Sequence, residues 1–187
     1  MKEIDVPLPP AEKRKLLHTR RVIYRGYERE DGLWDIEGEL LDTKTHPLTI
    51  PNERTLQIGE PIHGMLIRVT INAEMVVHGI DVAMNNVPHG PCRQAMAPMQ
   101  LMIGSKMGPG WRKAIEHHLG EIKGCVHLRE LLFNMATAAF QTLPAQHTTV
   151  SVDPNRPPQH LGKCVTWDFN GPLVQNLYPV YFQHEIK

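Results

Sequence analysis

Glu30-Asp31-Gly32-Leu33-Trp34-Asp35-Ile36-Glu37-Gly38-Glu39-Leu40-Leu41-Asp42 is the stretch whose reading decides the fold. Asp-Gly between two β-rich runs is a strong hairpin signal, because tight turns need a residue that tolerates positive φ. After it, Trp34, Ile36, Gly38 and Leu40 alternate with Asp35, Glu37 and Glu39. Period-two alternation sends the apolar set to a buried face and the carboxylates to a wet one. A return strand is therefore expected over Leu33 to Thr43. Its partner is expected over His18 to Glu28, where Val22, Ile23, Tyr24 and Tyr27 favour β structure. Asp42 falls on the inward register with Trp34 and Leu40, from which it could reach toward a site, but at a strand end the favoured role is to close the turn.

Downstream, Thr45 to Glu60 reads as a loop around Pro47 and Pro51. A second hairpin follows, Pro61 to Asn72 and Met75 to Asn85. His63, Met65, Ile67, Val69 and Ile71 share one face, so His63 points inward, as a core residue or as a ligand. A helix is expected from Arg93 onward, kinked near Pro98. Another spans Trp111 to Leu119, with Gly120 closing it and His117-His118 favourably placed at its C-terminal end. Leu128, Leu131, Leu132, Met135 and Ala139 recur at helical spacing and predict a third helix from Cys125 to about Leu143. Beyond Pro144 a proline-rich loop leads to a short C-terminal hairpin, Lys163 to Phe169 and Leu173 to Val180. The expected architecture is α+β. Residues 1–17 form an N-terminal arm, and residues 18–187 form a single domain. In that domain an antiparallel sheet of two hairpins is covered on one face by about three helices.

The 187 residues carry 20 Lys plus Arg against 20 Asp plus Glu, so no basic field exists to attract nucleic acid. No apolar run approaches the roughly 20 residues of a membrane helix, and the first residues lack a signal peptide's apolar stretch. A cytoplasmic protein is expected, acting on a small molecule, with homo-oligomerisation left open. Three cysteines, an odd number, suit reduced thiols better than a closed disulfide set.

Chemistry concentrates in Gly124-Cys125-Val126-His127-Leu128-Arg129-Glu130. A thiol at a helix start meets unpaired N–H groups and the positive end of the dipole, both of which favour thiolate. His127 lies two residues on, and Glu130 lies one turn beyond it. The first expectation is one Zn²⁺ or Fe²⁺ held by Cys92, Cys125 and His127, with His63, Cys164 or water completing the shell. Cys125 and Glu130 are the catalytic candidates, with Glu130 as general base. A second expectation makes Cys125 a nucleophile with His127 or His63 as its base. A third is a non-catalytic metal or partner-binding module, and a fourth is three cysteines that only pack. Glu130, Asn134, Thr137 and Gln141 form a polar stripe that is either an exposed face or a pocket wall.

Several segments together resemble the bacterial family called domain of unknown function 2889. They are Tyr27 to Asp35, Leu41-Asp42-Thr43-Lys44, Gly59-Glu60-Pro61-Ile62-His63, Pro91-Cys92, Gly124 to Leu128 and Ala136-Thr137-Ala138-Ala139-Phe140-Gln141. The likeness runs from about His18 to Tyr181. It implies a shared fold and an association with catabolic enzymes, but no named activity. More distantly the order of elements resembles iron–sulfur cluster assembly scaffolds. On that resemblance Cys92 matches a cysteine where sheet meets helix, and Cys125 with His127 loosely matches a later His-Cys pair. Val126 separates that pair here, whereas the scaffold pair is adjacent. The scaffold's hairpin cysteine is absent, with His63 as the nearest substitute.

Overall fold

The structure, a computed structural model, describes residues 8–143, 157–158 and 160–183. It divides into two compact units, Met1–Leu143 and Pro144–Lys187. Residues 8–17 of the expected arm are exposed and carry no strand or helix; residues 1–7 and most of the loop after Pro144 lie outside the described residues.

The first unit is built on the expected hairpin. Strands β1 (His18–Glu28) and β2 (Trp34–Lys44) pair antiparallel, from Glu28 opposite Trp34 to His18 opposite Lys44. Gly32 takes φ 80° in the turn, where a side chain would be strained. β2 also pairs with β5 (His63–Ile71), and β5 with β6 (Val77–Asn86), giving a four-stranded sheet ordered β1-β2-β5-β6. Between β2 and β5 the chain makes a separate two-stranded ribbon, β3 (Leu48–Ile50) and β4 (Arg54–Leu56). This corrects the loop expected over Thr45 to Glu60: three-residue strands show too little alternation to be read from sequence. Ile50, Leu56 and Ile62 bury there as a small cluster of their own.

One face of the large sheet carries Ile36, Leu40, Met65, Ile67, Val69 and Ile71, all buried. Helix α2 (Val126–Thr142) packs directly on it, contributing the predicted Leu128, Leu131, Leu132, Met135 and Ala139, and α1 (Trp111–Leu119) packs against α2 and adds Trp111, Ile115 and Leu119 to the same core. The opposite face is ionic: Arg21 pairs with Glu39 at 2.9 Å and Arg68 with Glu37 at 2.7 Å. That division follows directly from the alternation along β2.

Gly38 sets how closely α2 approaches the sheet. A Cβ there would sit 3.1 Å from Leu131 Cγ and 3.2 Å from both Met135 Sδ and Tyr24 Cε1. Gly38→Ala is expected to lower stability by about 1–2 kcal/mol through overpacking. Urea unfolding with an unchanged m-value would show it; a neutral substitution would mean the helix shifts outward freely.

Two expected elements are corrected. The helix from Arg93 is instead a 3₁₀ run over Gly90–Met102, with Pro91 in its first turn, Pro98 inside and Met99 and Met102 buried. Pro98 has no N–H to donate and its ring clashes with the preceding turn of an α-helix, so the tighter 3₁₀ turns prevail. The C-terminal hairpin is also absent among the described residues. The segment forms a 3₁₀ turn at Val165–Trp167, helix α3 (Pro172–Leu177) and another 3₁₀ turn at Pro179–Tyr181. Pro172 at the first helical position is pre-set for a helix start. Val174, Tyr178 and Tyr181, spaced by four and three, bury with Leu161 as the second unit's core.

Candidate functional site

Three adjacent strands place three side chains in a row. Arg20 of β1 lies opposite Asp42 of β2, and Asp42 lies opposite His63 of β5. Cross-strand neighbours project to the same face, here the helix-covered one. His18 joins them two residues before Arg20. His127 descends from the first turn of α2 and meets His63, their ring centroids 4.0 Å apart and the planes tilted by 37°.

Asp42 is the centre. It is 1% exposed, the one charged residue in the buried class among the described residues. Arg20 grips it bidentately, Nε donating to Oδ1 and Nη2 to Oδ2, each at 2.8 Å. His18 Nε2 lies 3.0 Å from Oδ1, and His63 Nδ1 lies 2.9 Å from Oδ2. Four partners fill the roughly four acceptor positions of a carboxylate. Burial by itself would raise the Asp42 pKa; the Arg20 guanidinium, followed by His63 and His18, outweighs it and holds the group at about 2. The same contact raises Arg20 above its usual value. Arg20 then extends its remaining arm, Nη1, to Glu130 Oε2 at 3.2 Å.

The carboxylate accepts from His63, so Nδ1 carries a proton, and in the neutral imidazole Nε2 is then the nitrogen with a free lone pair. His127 is pushed below its ordinary pKa, by burial first and then by the neighbouring His63 and Arg20. It is therefore neutral near pH 7, the form in which imidazole acts as base or ligand. Cys125 is the N-cap residue of α2, half-buried, with no side-chain capping bond. Its Sγ lies 3.8 Å from His127 Nδ1.

Among the described residues one group of three or more ligand side chains has its donor atoms within 4.8 Å of one another: Asp42, His63 and His127. Two of these, His63 and His127, were expected as ligands from the sequence. Cys125 stands beside the group, in contact with His127. Cys92 is not a member; it lies in the first turn of the 3₁₀ run, half-buried and packed on the main core. Cys164 is exposed in the second unit. Glu130, the expected general base, is paired to Arg20 at the margin of the cluster.

The sequence favours a turn role for Asp42 over a place in a site, and assigns His18 and Arg20 no role. The signal for them is arithmetic: pairing outward from the Asp31-Gly32 turn puts Arg20 opposite Asp42 on the inward register. A buried carboxylate there demands a cation beside it.

No helix among the described residues is long and apolar enough to cross a membrane. No curated protein and no solved structure matches the chain, and the distant likeness to iron–sulfur scaffolds gains no support. From β1 through nearly the whole of α2, residues 18–141 match the model of one family, so the chain belongs to the family described as protein of unknown function (DUF2889).

Proposed function

We propose that the protein holds one divalent transition ion, Zn²⁺ or Fe²⁺, between His63 and His127, and presents its open coordination positions to a small molecule. The observation that carries this reading is the meeting of the two imidazoles beside Asp42, with one donor atom from each residue within 4.8 Å of the others. The depressed pKa of His127 favours the neutral ligand form. Asp42, with its acceptor positions filled, acts through His63, as carboxylates behind metal-bound histidines do, by fixing the tautomer and raising ligand basicity. Imidazole ligands without thiolate suit zinc and ferrous iron alike. A centre with two protein nitrogens retains positions for water and substrate, so it can polarise a carbonyl or acidify water.

Metal-free protein titrated with Zn²⁺ or Co²⁺ should take up one ion per chain, with visible d–d bands for cobalt. His63→Ala and His127→Ala should each lower affinity by more than the ~100-fold that loss of an outer-shell partner costs. Absence of uptake, or uptake indifferent to both substitutions, would overturn the reading.

A second reading is favoured by the 3.8 Å approach of Cys125 Sγ to His127 Nδ1. In it Cys125 is a nucleophile and His127 its base. Fast alkylation of Cys125, slowed by His127→Ala in protein that takes up no metal, would select it.

A further inference from the structure

We infer that the cavity between β1 and α2 binds a small organic monocarboxylate, its carboxylate on Arg112 and its apolar body against Val22 and Phe133. This goes beyond the metal reading, since it concerns what the site is given to act on. It rests on that reading for the reaction and not for the binding.

The cavity is an open cleft of about 520 Å³, within the range of sites for small organic ligands. Its apolar wall is Val22, Leu40, Leu131 and Phe133. Its polar groups divide into committed and uncommitted ones. Tyr24 donates its hydroxyl to the Leu131 carbonyl at 3.2 Å, and Asn134 Nδ2 donates to the Glu130 carbonyl at 3.3 Å. Arg20, which also lines the cavity, spends its guanidinium on Asp42 and Glu130. Arg112 is different. Its guanidinium carbon lies 5.0 Å from the centroid of the Phe133 ring, and among the described residues no carboxylate pairs with it.

A cation laid over an aromatic face is held in place without being neutralised, and its planar fork matches a carboxylate. One uncommitted cation balances one negative charge. A second negative charge on the ligand would face Glu130 with nothing left to offset it, which disfavours phosphate esters and dicarboxylates. The apolar wall then selects for a hydrocarbon body of modest size. Arg20 is common to both places, so a molecule seated on Arg112 with its far end toward Arg20 lies alongside the Asp42, His63 and His127 cluster.

The test uses the full chain with hexanoate and benzoate as probes, their amides as neutral counterparts, and methyl NMR as the readout. Both acids should move the Val22 and Leu131 signals, and both amides should bind about tenfold more weakly or worse, as loss of a charged hydrogen bond requires. Arg112→Gln should weaken the acids by about tenfold while leaving Zn²⁺ uptake unchanged, and Arg112→Lys should retain part of the affinity. Acids that bind no better than amides, an Arg112→Gln protein that binds like wild type, or shifts confined to residues elsewhere would overturn the inference. Acid binding without metal uptake would sink the metal reading alone; metal uptake without acid binding would sink this one alone.

Discussion

Asp42→Asn should cost about 3 kcal/mol of stability at neutral pH and weaken metal binding by about 10–100-fold. An amide nearly keeps the shape but cannot keep the bonds. Whichever oxygen becomes NH₂ then faces one Arg20 N–H and one histidine nitrogen. Arg20 loses its bidentate partner in a place where its side chain is 35% exposed, which keeps the loss below the full penalty of a buried unpaired charge. His63 loses the group that fixes its proton on Nδ1, so its metal-binding nitrogen is no longer held ready.

The same substitution carries a pH signature. Asp42 titrates at about 2 in the folded chain against an ordinary 3.8, so the fold binds this proton less readily than the unfolded chain does. Its contribution is complete above the unfolded value and is lost as pH falls through the folded one. The depression amounts to about 2 kcal/mol. The part of the stability gap between wild type and Asp42→Asn that comes from this charge should therefore close progressively between about pH 4 and 2. Carboxylates remote from Arg20 titrate in both proteins and cancel in the difference. A gap that stays flat down to pH 2 would mean that Asp42 is not the held charge described here.

The fold was largely legible because its signals are local. Asp31-Gly32 and the alternation after it determine the hairpin, its register and the buried face of β2. Leu128, Leu131, Leu132, Met135 and Ala139 give both the extent and the buried stripe of α2. The elements misread are those where short range and proline compete, the 3₁₀ run at Gly90–Met102 and the helical segment after Pro172. The site was half legible. His127 was visible because Cys125 and a helix start mark it, and His63 because it heads an apolar register. Asp42 was hidden by the ambiguity of its own position: a strand-end Asp closes turns as readily as it anchors a buried cluster. Only the β2–β5 register, which no short-range signal dictates, brings His63 across from it.

Trp111 is where fold and proposed ligand meet, and Trp111→Ala should produce the largest loss of stability, about 3–5 kcal/mol. The residue is 3% exposed, stands first in α1 and belongs to the main core with Ile115, Leu119, Leu128 and Leu132. Its indole Nε1 donates to the Leu132 carbonyl of α2 at 3.0 Å, tying the two helices together. Truncation to alanine removes both the bulk and that bond, and the melting temperature should fall by about 10 °C. Trp111→Phe keeps most of the bulk. The carbonyl it abandons still accepts a bond in the α2 ladder, so this variant should lose about 1 kcal/mol. Arg112 is the next residue, and only a seated α1 holds its guanidinium over Phe133. Carboxylate binding should therefore fall with stability in Trp111→Ala and survive in Trp111→Phe. Wild-type affinity in a Trp111→Ala protein that remains folded at low temperature would mean that Arg112 is positioned by Phe133 alone, and that the seating of α1 contributes bulk to the core and nothing to the cavity.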